Sequence, residues 1–270
     1  MHANTLATTW RAVSPQELWA RRHLAWMLAV REVKVRYKQS ALGGAWAVIR
    51  PLVMMVVFTF LFGVVAKLPG EGVPYPVYVL AALIGWDLFA NIVIGSAHSI
   101  TSNKAVVQKV YCPRLLFPLS SLLVALFDFV IAACLLALVM LALGVTPSPN
   151  IFWLPLLIGA VMLVGLSLGL WLAAAAVWLH DIKYVVVYIV QLLLLLTPVG
   201  YGARQIPDSF AWIVHYNPMA VLVEAFRWSI LGLPAPEMAQ VAYAGGVTAV
   251  MLLGGLFFFN ALERSFADVV

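Results

Sequence analysis

Charged residues are scarce in this chain, since Asp, Glu, Lys and Arg together make up only 10% of its 270 residues. A soluble globular domain carries about 25% charged residues, which cover its water-facing surface. Apolar residues account for 64% of the chain, whereas disordered segments are poor in them. The composition therefore excludes a disordered chain, argues strongly against a soluble enzyme and predicts an integral membrane protein.

Cysteine and clustered histidine are also lacking. The two cysteines, Cys112 and Cys134, provide no disulfide framework. The five histidines are scattered, so no metal-ligand spacing is present and no metal site is predicted. No lysine follows a glycine, which excludes the Gly-Lys pair of a phosphate-binding loop. Any active transport by this chain must therefore draw its energy from another subunit.

Long apolar segments dominate what is present. A helix that crosses a bilayer needs about 20 mostly apolar residues. The sequence predicts an all-α fold with six such spans, at residues 46–66, 77–100, 117–143, 152–179, 184–202 and 241–262. Asp87 and Asp128 fall inside two of them, and an acid is costly in hydrocarbon. Because they are single acids on separate helices, a structural position near an interface is favoured over a proton relay or cation site.

The basic residues are divided unequally between the two sides of the predicted bundle. Thirteen lie before the first span or on the same side as it, and three lie on the opposite side: Lys67, Arg204 and Arg227. Cytoplasmic segments of membrane proteins retain Lys and Arg, so this ratio predicts that both termini are cytoplasmic. That orientation requires an even number of spans. The net charge of +5 is explained in the same way and does not indicate nucleic acid as a partner.

The segment before the first span, residues 1–44, is predicted to contain a helix that ends near Lys38. Such a helix aligns apolar and aromatic residues on one stripe, namely Trp19, Trp26, Val30, Val33 and Tyr37. Basic residues flank the stripe, as expected for a helix that lies in the membrane interface and contacts lipids. The alternative is a generic anchor and topology signal.

A short basic segment, residues 101–116, joins the second and third spans. Its alternation of polar and apolar residues predicts a short helix that ends before Pro113. Its apolar side chains are Val106, Val107, Val110 and Tyr111, and two roles are possible for them. They can dock into a groove of a soluble partner, or they can pack beneath the bundle of this chain.

Residues 201–236 form an irregular segment between the fifth and sixth spans. The run 197–201 (TPVGY) breaks a helix, and the apolar pieces 208–216 and 219–231 are too short to span. Re-entrant or interfacial half-helices are predicted, because broken backbone is tolerated only where protein or water satisfies it. The segment is rich in aromatic residues: Tyr201, Phe210, Trp212, Tyr216, Phe226 and Trp228. These rings can form an interfacial belt or offer flat faces to sugars.

An ordered set of short motifs carries a resemblance to a known family. The motifs are residues 36–43 (RYKQSALG), 46–51 (WAVIRP), 109–114 (KVYCPR), 181–184 (DIKY), 198–201 (PVGY), 217–219 (NPM), 224–228 (EAFRW) and 263–269 (ERSFADV). Their identity and order resemble the ABC-2 type polysaccharide export permeases over nearly the whole chain. Residues 45–270 would then form the transmembrane domain of such a permease.

The resemblance implies a function and a set of partners. It implies a homodimer in the inner membrane that exports a lipid-linked polysaccharide, such as O antigen, capsule or teichoic acid. The chain would be a transporter subunit rather than an enzyme and would bind no cofactor, while ATP and Mg would bind to a cytoplasmic ATPase. A membrane-embedded glycosyl- or acyltransferase is the alternative, and a passive channel or scaffold is a third possibility.

Two groups of candidate site residues follow from this resemblance. The residues predicted to contact the ATPase are Arg36, Lys38, Lys104, Lys109, Tyr111 and Arg114. The residues predicted to line the polysaccharide path are Tyr201, Trp212, Tyr216 and Trp228.

Overall fold

The computed structural model describes residues 15–38, 43–109, 112–179 and 181–263, and every regular element within them is helical. The α-helices are α1 (Pro15–Ala20), α2 (Arg22–Lys38), α3 (Trp46–Phe58), α4 (Tyr75–Ser99), α5 (Lys104–Lys109), α6 (Leu116–Ala142), α7 (Leu154–Trp178), α8 (Ile182–Leu196), α9 (Ala211–His215), α10 (Pro218–Leu231) and α11 (Met238–Leu262). A π-helical stretch, Thr59–Val65, continues α3. Short 3₁₀ turns precede α3, α5, α7 and α9.

Five helical segments are long and apolar enough to cross a membrane, among the residues that the structure describes. They are Gly43–Val65, Tyr75–Ser99, Leu116–Ala142, Pro149–Trp178 and Met238–Leu262. The predicted fifth span corresponds to α8, whose 15 residues cover about 22 Å at 1.5 Å per residue. That is shorter than the roughly 30 Å hydrocarbon core. The integral membrane all-α fold is confirmed, and the sixth crossing stays a prediction.

Helix α4 is the centre of the bundle. In its apolar stretch 83% of the residues are buried, and it packs against α3, α6, α7, α8 and α10. Small residues allow its closest approach to α7. A Cβ atom on Gly165 would lie 2.9 Å from Ile92, and one on Gly169 would lie 2.7 Å from Ser96. The two α7 glycines therefore serve packing within the chain.

The amino-terminal helix prediction is confirmed as far as Lys38, with a turn between α1 and α2. Helix α2 packs against α6 and buries Ala25, Leu28 and Ala29. Trp19 and Trp26 are 70% and 58% exposed, so the tryptophan stripe lies beside this buried face rather than on it. The rings are thus accessible, and the position of this helix in the membrane interface stays a prediction.

The register between α3 and α4 places Asp87 near one end of the first span. Gly63 contacts Tyr75, and counting along the two antiparallel helices from that point brings Arg50 to the level of Asp87. Arg50 lies only four residues, about 6 Å, from Trp46, where α3 begins. Asp87 is thus level with the start of α3, although it is the central residue of α4, and the interpretation of this acid as structural stays a prediction.

The bundle has two ends of different character, called the basic end and the hinge end below. The basic end carries α1, α2 and α5, together with the last turns of α4 and the first turns of α6. The hinge end lies opposite and consists of residues 197–218, which connect α8 to α10.

Candidate functional site

Two lysines project from α5 at the basic end. Lys104 and Lys109 are exposed, whereas Val107 is buried in a cluster that contains Leu28 and Ile100. Val107 therefore packs beneath the bundle, as one of the two alternatives predicted, and anchors α5. Both lysines remain accessible to a partner. Tyr111 lies outside the described residues.

Arg114 is half-buried and has partners within the chain. Its Nη1 donates to the carbonyl oxygen of Glu263 at 3.0 Å, and its backbone N–H donates to the Glu263 carboxylate at 2.8 Å. A cation at the carboxyl end of a helix is electrostatically favoured. These contacts join the start of α6 to the end of α11, so an ATPase contact by Arg114 stays a prediction while its observed role is internal.

Arg36 is also held within the chain, by an acid whose role the sequence left open. Its Nη1 lies 2.7 Å from Oδ2 of Asp128, and its Nη2 lies 3.1 Å from Oε1 of Glu32. The hydroxyl of Tyr37 donates to Oδ1 of Asp128 at 2.5 Å. Burial and then the bond to Asp128 raise the pKa of Tyr37 to about 12, so its hydroxyl is a proton donor at neutral pH. Asp128 thus fixes α2 to α6, and Lys38 next to these residues is exposed.

The basic end is connected by these contacts into one unit. Arg31 of α2 donates to Oδ1 of Asn103, in the turn before α5, at 3.2 Å. Helix α2 is in turn bound to α6, which is bound to the end of α11. A displacement of α5 by a bound partner would therefore be transmitted to α2 and to two of the long helices.

A buried arginine organises the hinge end. Arg227 of α10 is 3% exposed. It donates to three carbonyl oxygens of the non-helical chain that follows α8: those of Pro198 at 2.8 Å, Val199 at 2.6 Å and Tyr201 at 3.3 Å. It also donates to the carbonyl of Tyr78 at 3.3 Å and lies 3.8 Å from the centre of that ring. Carbonyls released where α8 ends are thereby satisfied, which broken backbone inside a membrane protein requires.

Polar side chains complete the hinge. The Nδ2 of Asn217 donates to the hydroxyl of Thr197 at 2.9 Å, and its Oδ1 caps α10 by accepting from the backbone N–H of Met219 at 3.0 Å. The hydroxyl of Tyr75 donates to the carbonyl of Gly200. The end of α8, the start of α4 and the start of α10 are therefore held together, and the predicted break into short helices at Asn217 is confirmed.

Two of the four candidate path residues have structural contacts. Tyr201 packs against Phe62 at 6.3 Å between ring centres, and its hydroxyl donates to the carbonyl of Leu195 at 2.9 Å. Trp228 is half-buried and packs against Trp153 at 6.4 Å. These rings stabilise the hinge end and α7.

The other two candidate path residues are accessible. Trp212 is 59% exposed and Tyr216 is 63% exposed. Tyr216 meets the edge of the Tyr243 ring of α11 at 5.5 Å between ring centres. The structure therefore separates the four aromatics, with one accessible pair around α9 and two rings packed elsewhere.

Sequence reasoning missed the role of Arg227. It was counted only as one of three basic residues on the less basic side. The available signal was its position inside the mostly apolar helix α10, which carries Glu224 as its other charged residue, because charges in such a segment mark a functional or structural site. What the sequence could not provide is the partner, since the carbonyls it satisfies lie 26 to 29 residues earlier.

A pattern typical of hydrolases has no catalytic geometry here. Residues 165–169 (GLSLG) have the spacing of a nucleophile elbow, which requires a sharp turn between a strand and a helix. Ser167 lies instead inside the continuous helix α7 and donates to the carbonyl of Val164 at 2.7 Å. Among the described residues, no group of three or more His, Cys, Asp and Glu side chains can hold a metal ion.

Comparison with known proteins identifies the family to which this chain belongs. The ABC-2 type transporter family matches residues 23–231, so the chain is a member of that family. Such chains are the membrane subunits of transporters, and ATP hydrolysis resides on a separate subunit.

Individual relatives extend over almost the whole chain. An "O-antigen export system permease protein RfbA" of Klebsiella pneumoniae is 27% identical over 242 residues, which cover 89% of this chain and 92% of that one. The RfbA protein of Myxococcus xanthus is 27% identical over 258 residues, covering 94% and 98%. The "Polysialic acid transport protein KpsM" of Escherichia coli is 21% identical over 243 residues, covering 88% and 93%.

Proposed function

We propose that this chain is the membrane permease subunit of an ATP-driven exporter that moves a lipid-linked polysaccharide across the inner membrane. The observation that carries the proposal is the end-to-end similarity to two O-antigen export permeases and a polysialic acid transport protein. Those polymers differ in their sugars, so the shared property is a long polysaccharide rather than one repeating unit.

The proposed assembly contains two copies of this chain and a cytoplasmic ATPase that binds ATP and Mg. The basic end supports this arrangement, because α5 presents Lys104 and Lys109 while Val107 anchors it to the bundle. Both termini would be cytoplasmic, as the distribution of basic residues predicts. Residues 201–236 would lie on the outer side and form the exit.

Deletion of this chain tests the function directly. In cells that lack it, the polysaccharide should still be made but should accumulate inside, and expression of the chain should restore it to the surface. A transferase would give a different result, because its loss would stop synthesis or change the composition of the polymer. Cell fractionation followed by immunoblotting for the polymer distinguishes these outcomes.

Charge reversal on α5 should uncouple the transporter. We expect the double change Lys104→Glu and Lys109→Glu to reduce affinity for the ATPase by about tenfold and export by a similar factor, because both side chains are exposed at the proposed contact. Co-purification and surface polymer measure the two effects. Lys67→Glu, an exposed lysine in the α3–α4 connection beyond the far end of α3, is the matched control and should change neither. Equal export by both variants would contradict the contact.

Labelling from outside the cell tests the orientation. Ser102 and Ser209 are both exposed but lie at opposite ends. With Cys112 and Cys134 replaced by alanine, an impermeant maleimide should modify Ser209→Cys in intact cells. It should modify Ser102→Cys only after permeabilisation. The reverse pattern would show that the termini are outside.

Alanine substitution should separate the four aromatics. Trp212→Ala and Tyr216→Ala should lower export several-fold while changing stability by less than about 0.5 kcal/mol, because these rings are largely exposed. Trp228→Ala should lower stability by about 2 kcal/mol, since a half-buried ring loses part of the 3–5 kcal/mol of a fully buried one. Trp153→Ala should cost less than Trp228→Ala, because the Trp153 ring is 52% exposed. Unfolding midpoints in detergent and surface polymer are the measurements, and a parallel fall of both in the Trp212 variant would indicate an anchor.

A further inference from the structure

A cavity of about 250 Å³ lies where α2, α3, α4 and α6 meet. The cavity is large enough for several waters, so it can hold a small polar group. Its polar lining is divided into two walls. Arg36, Tyr37 and Asp128 form the first wall and satisfy one another, as described above. Arg50, Asp87 and Asn91 form the second.

The second wall is held by no hydrogen bond among the described residues, although the charges of Arg50 and Asp87 attract each other. Among the described residues, Arg50, Asp87 and Asn91 make no hydrogen bond to one another or to a neighbour, and no ion pair within 4.0 Å includes Arg50 or Asp87. The cavity thus presents one cation, one anion and one carboxamide. Arg50 is exposed, whereas Asp87 and Asn91 are half-buried, so a ligand or ordered water that enters the cavity can partner all three side chains.

The position of the cavity is that of a lipid headgroup. Arg50 lies about one helical turn from Trp46, which marks the boundary of the first span. Beyond Arg50, the first span is only 11% buried and presents a continuous apolar surface. The exposed residues of this surface include Val53, Val56, Val57, Phe60 and Val64. Acyl chains that lie along it would bring their headgroup to Arg50.

We propose that this cavity binds the phosphoethanolamine headgroup of a phospholipid in the leaflet that contains Trp46. The phosphate would accept hydrogen bonds from the Arg50 guanidinium, whose fork of donors suits phosphate oxygens. The ammonium would donate to the Asp87 carboxylate and to Oδ1 of Asn91, since it has three N–H donors. One positive and one negative group of the lipid thus meet one negative and one positive group of the protein.

The charge pattern selects this headgroup over the other common ones. An anionic headgroup would place its phosphate near Asp87 without supplying a cation for that carboxylate. A choline headgroup carries the positive charge but has no N–H donor for Asp87 or Asn91. The selection depends on both halves of the headgroup, so it can be tested by changing the lipid alone.

Lipid retention by the unmodified full-length chain is the first test. The chain is incorporated into nanodiscs that contain equal amounts of phosphatidylethanolamine, phosphatidylcholine and phosphatidylglycerol, and tightly bound lipid is quantified by native mass spectrometry after release. We expect phosphatidylethanolamine to be retained about tenfold over each of the others. Equal retention of phosphatidylcholine, preference for phosphatidylglycerol, or no retained lipid would each overturn the proposal.

Two substitutions locate the site. Arg50→Met and Asp87→Asn should each reduce the preference for phosphatidylethanolamine over phosphatidylcholine to near unity. Asp87→Asn should also increase retention of phosphatidylglycerol, because the repelling carboxylate is gone. The matched controls are the exposed residues Lys34 and Asp181, changed to Met and Asn, and they should behave as the unmodified chain. An unchanged preference in both cavity variants would place the lipid elsewhere and overturn the assignment.

Discussion

Replacement of Arg227 by methionine should destabilise the protein by about 3–5 kcal/mol, the largest effect expected here. Methionine keeps an unbranched apolar stem but has no donor, so the carbonyls of Pro198, Val199, Tyr201 and Tyr78 would each lose their bond to the guanidinium. A buried polar group left without a partner costs about 1–3 kcal/mol, and water entering the hinge would offset part of the total. The unfolding midpoint of the purified chain in lipid nanodiscs measures the loss.

A conservative change and a surface change serve as controls. Arg227→Lys keeps the charge but replaces the planar fork by a single ammonium, so it should restore only part of the stability. Arg22 is exposed, and among the described residues it donates to the carbonyl of Trp19 at 2.9 Å and lies 4.7 Å from the centre of that ring. Arg22→Met should therefore stay within about 0.5 kcal/mol of the unmodified chain. If Arg227→Met unfolded at the same midpoint as Arg22→Met, the hinge would not depend on these hydrogen bonds.

The long helices were predictable because the bilayer imposes a simple requirement. A crossing helix must hold about 20 apolar residues, and that signal is present in the composition of each segment. The same signal failed at α8, which was predicted to continue to residue 202 but ends at Leu196. Residues 197–202 are apolar enough that the sequence pattern predicts a continuation of the helix. Thr197 is nevertheless extended, and the chain turns there because Arg227 satisfies the freed carbonyls.

The contacts that build the two ends were not predictable from one sequence. Arg36 and Asp128 are 92 positions apart, and Arg114 and Glu263 are 149 apart. Helical periodicity relates neighbours three or four residues apart, so it carries no information on which charge of one helix meets which charge of another. Arg36 and Arg114 were assigned to a partner because an unpaired charge at a basic surface is a reasonable expectation, and the structure gives both an internal partner.

Loss of the Asp128 carboxylate should have the second largest effect, on coupling more than on folding. Asp128→Asn removes the ion pair with Arg36, while the amide oxygen can still accept from Tyr37. A hydrogen bond to a charged group contributes about 1.5–3 kcal/mol, and the 39% exposure of Arg36 places the expected loss near 2 kcal/mol. Helix α2 would then separate from α6 in a larger fraction of molecules. Spin labels at Lys34 of α2 and Val130 of α6, both exposed, should show a broader distance distribution.

A double-mutant cycle shows whether the pair itself causes this effect. Arg36→Met should cost a similar amount, and the double variant should cost little more than either single one, because the interaction can be lost only once. Glu32→Gln is the control, since it breaks the other ion pair of Arg36. That pair is exposed, joins residues four apart within α2 and contributes about 0.3–0.5 kcal/mol.

Export should fall in the Asp128 variant while ATP hydrolysis continues, because α2 would no longer transmit the motion of α5 to α6. Additive losses in the cycle would show that Arg36 and Asp128 do not act as a pair. Normal export with a displaced α2 would show that coupling does not pass through α2.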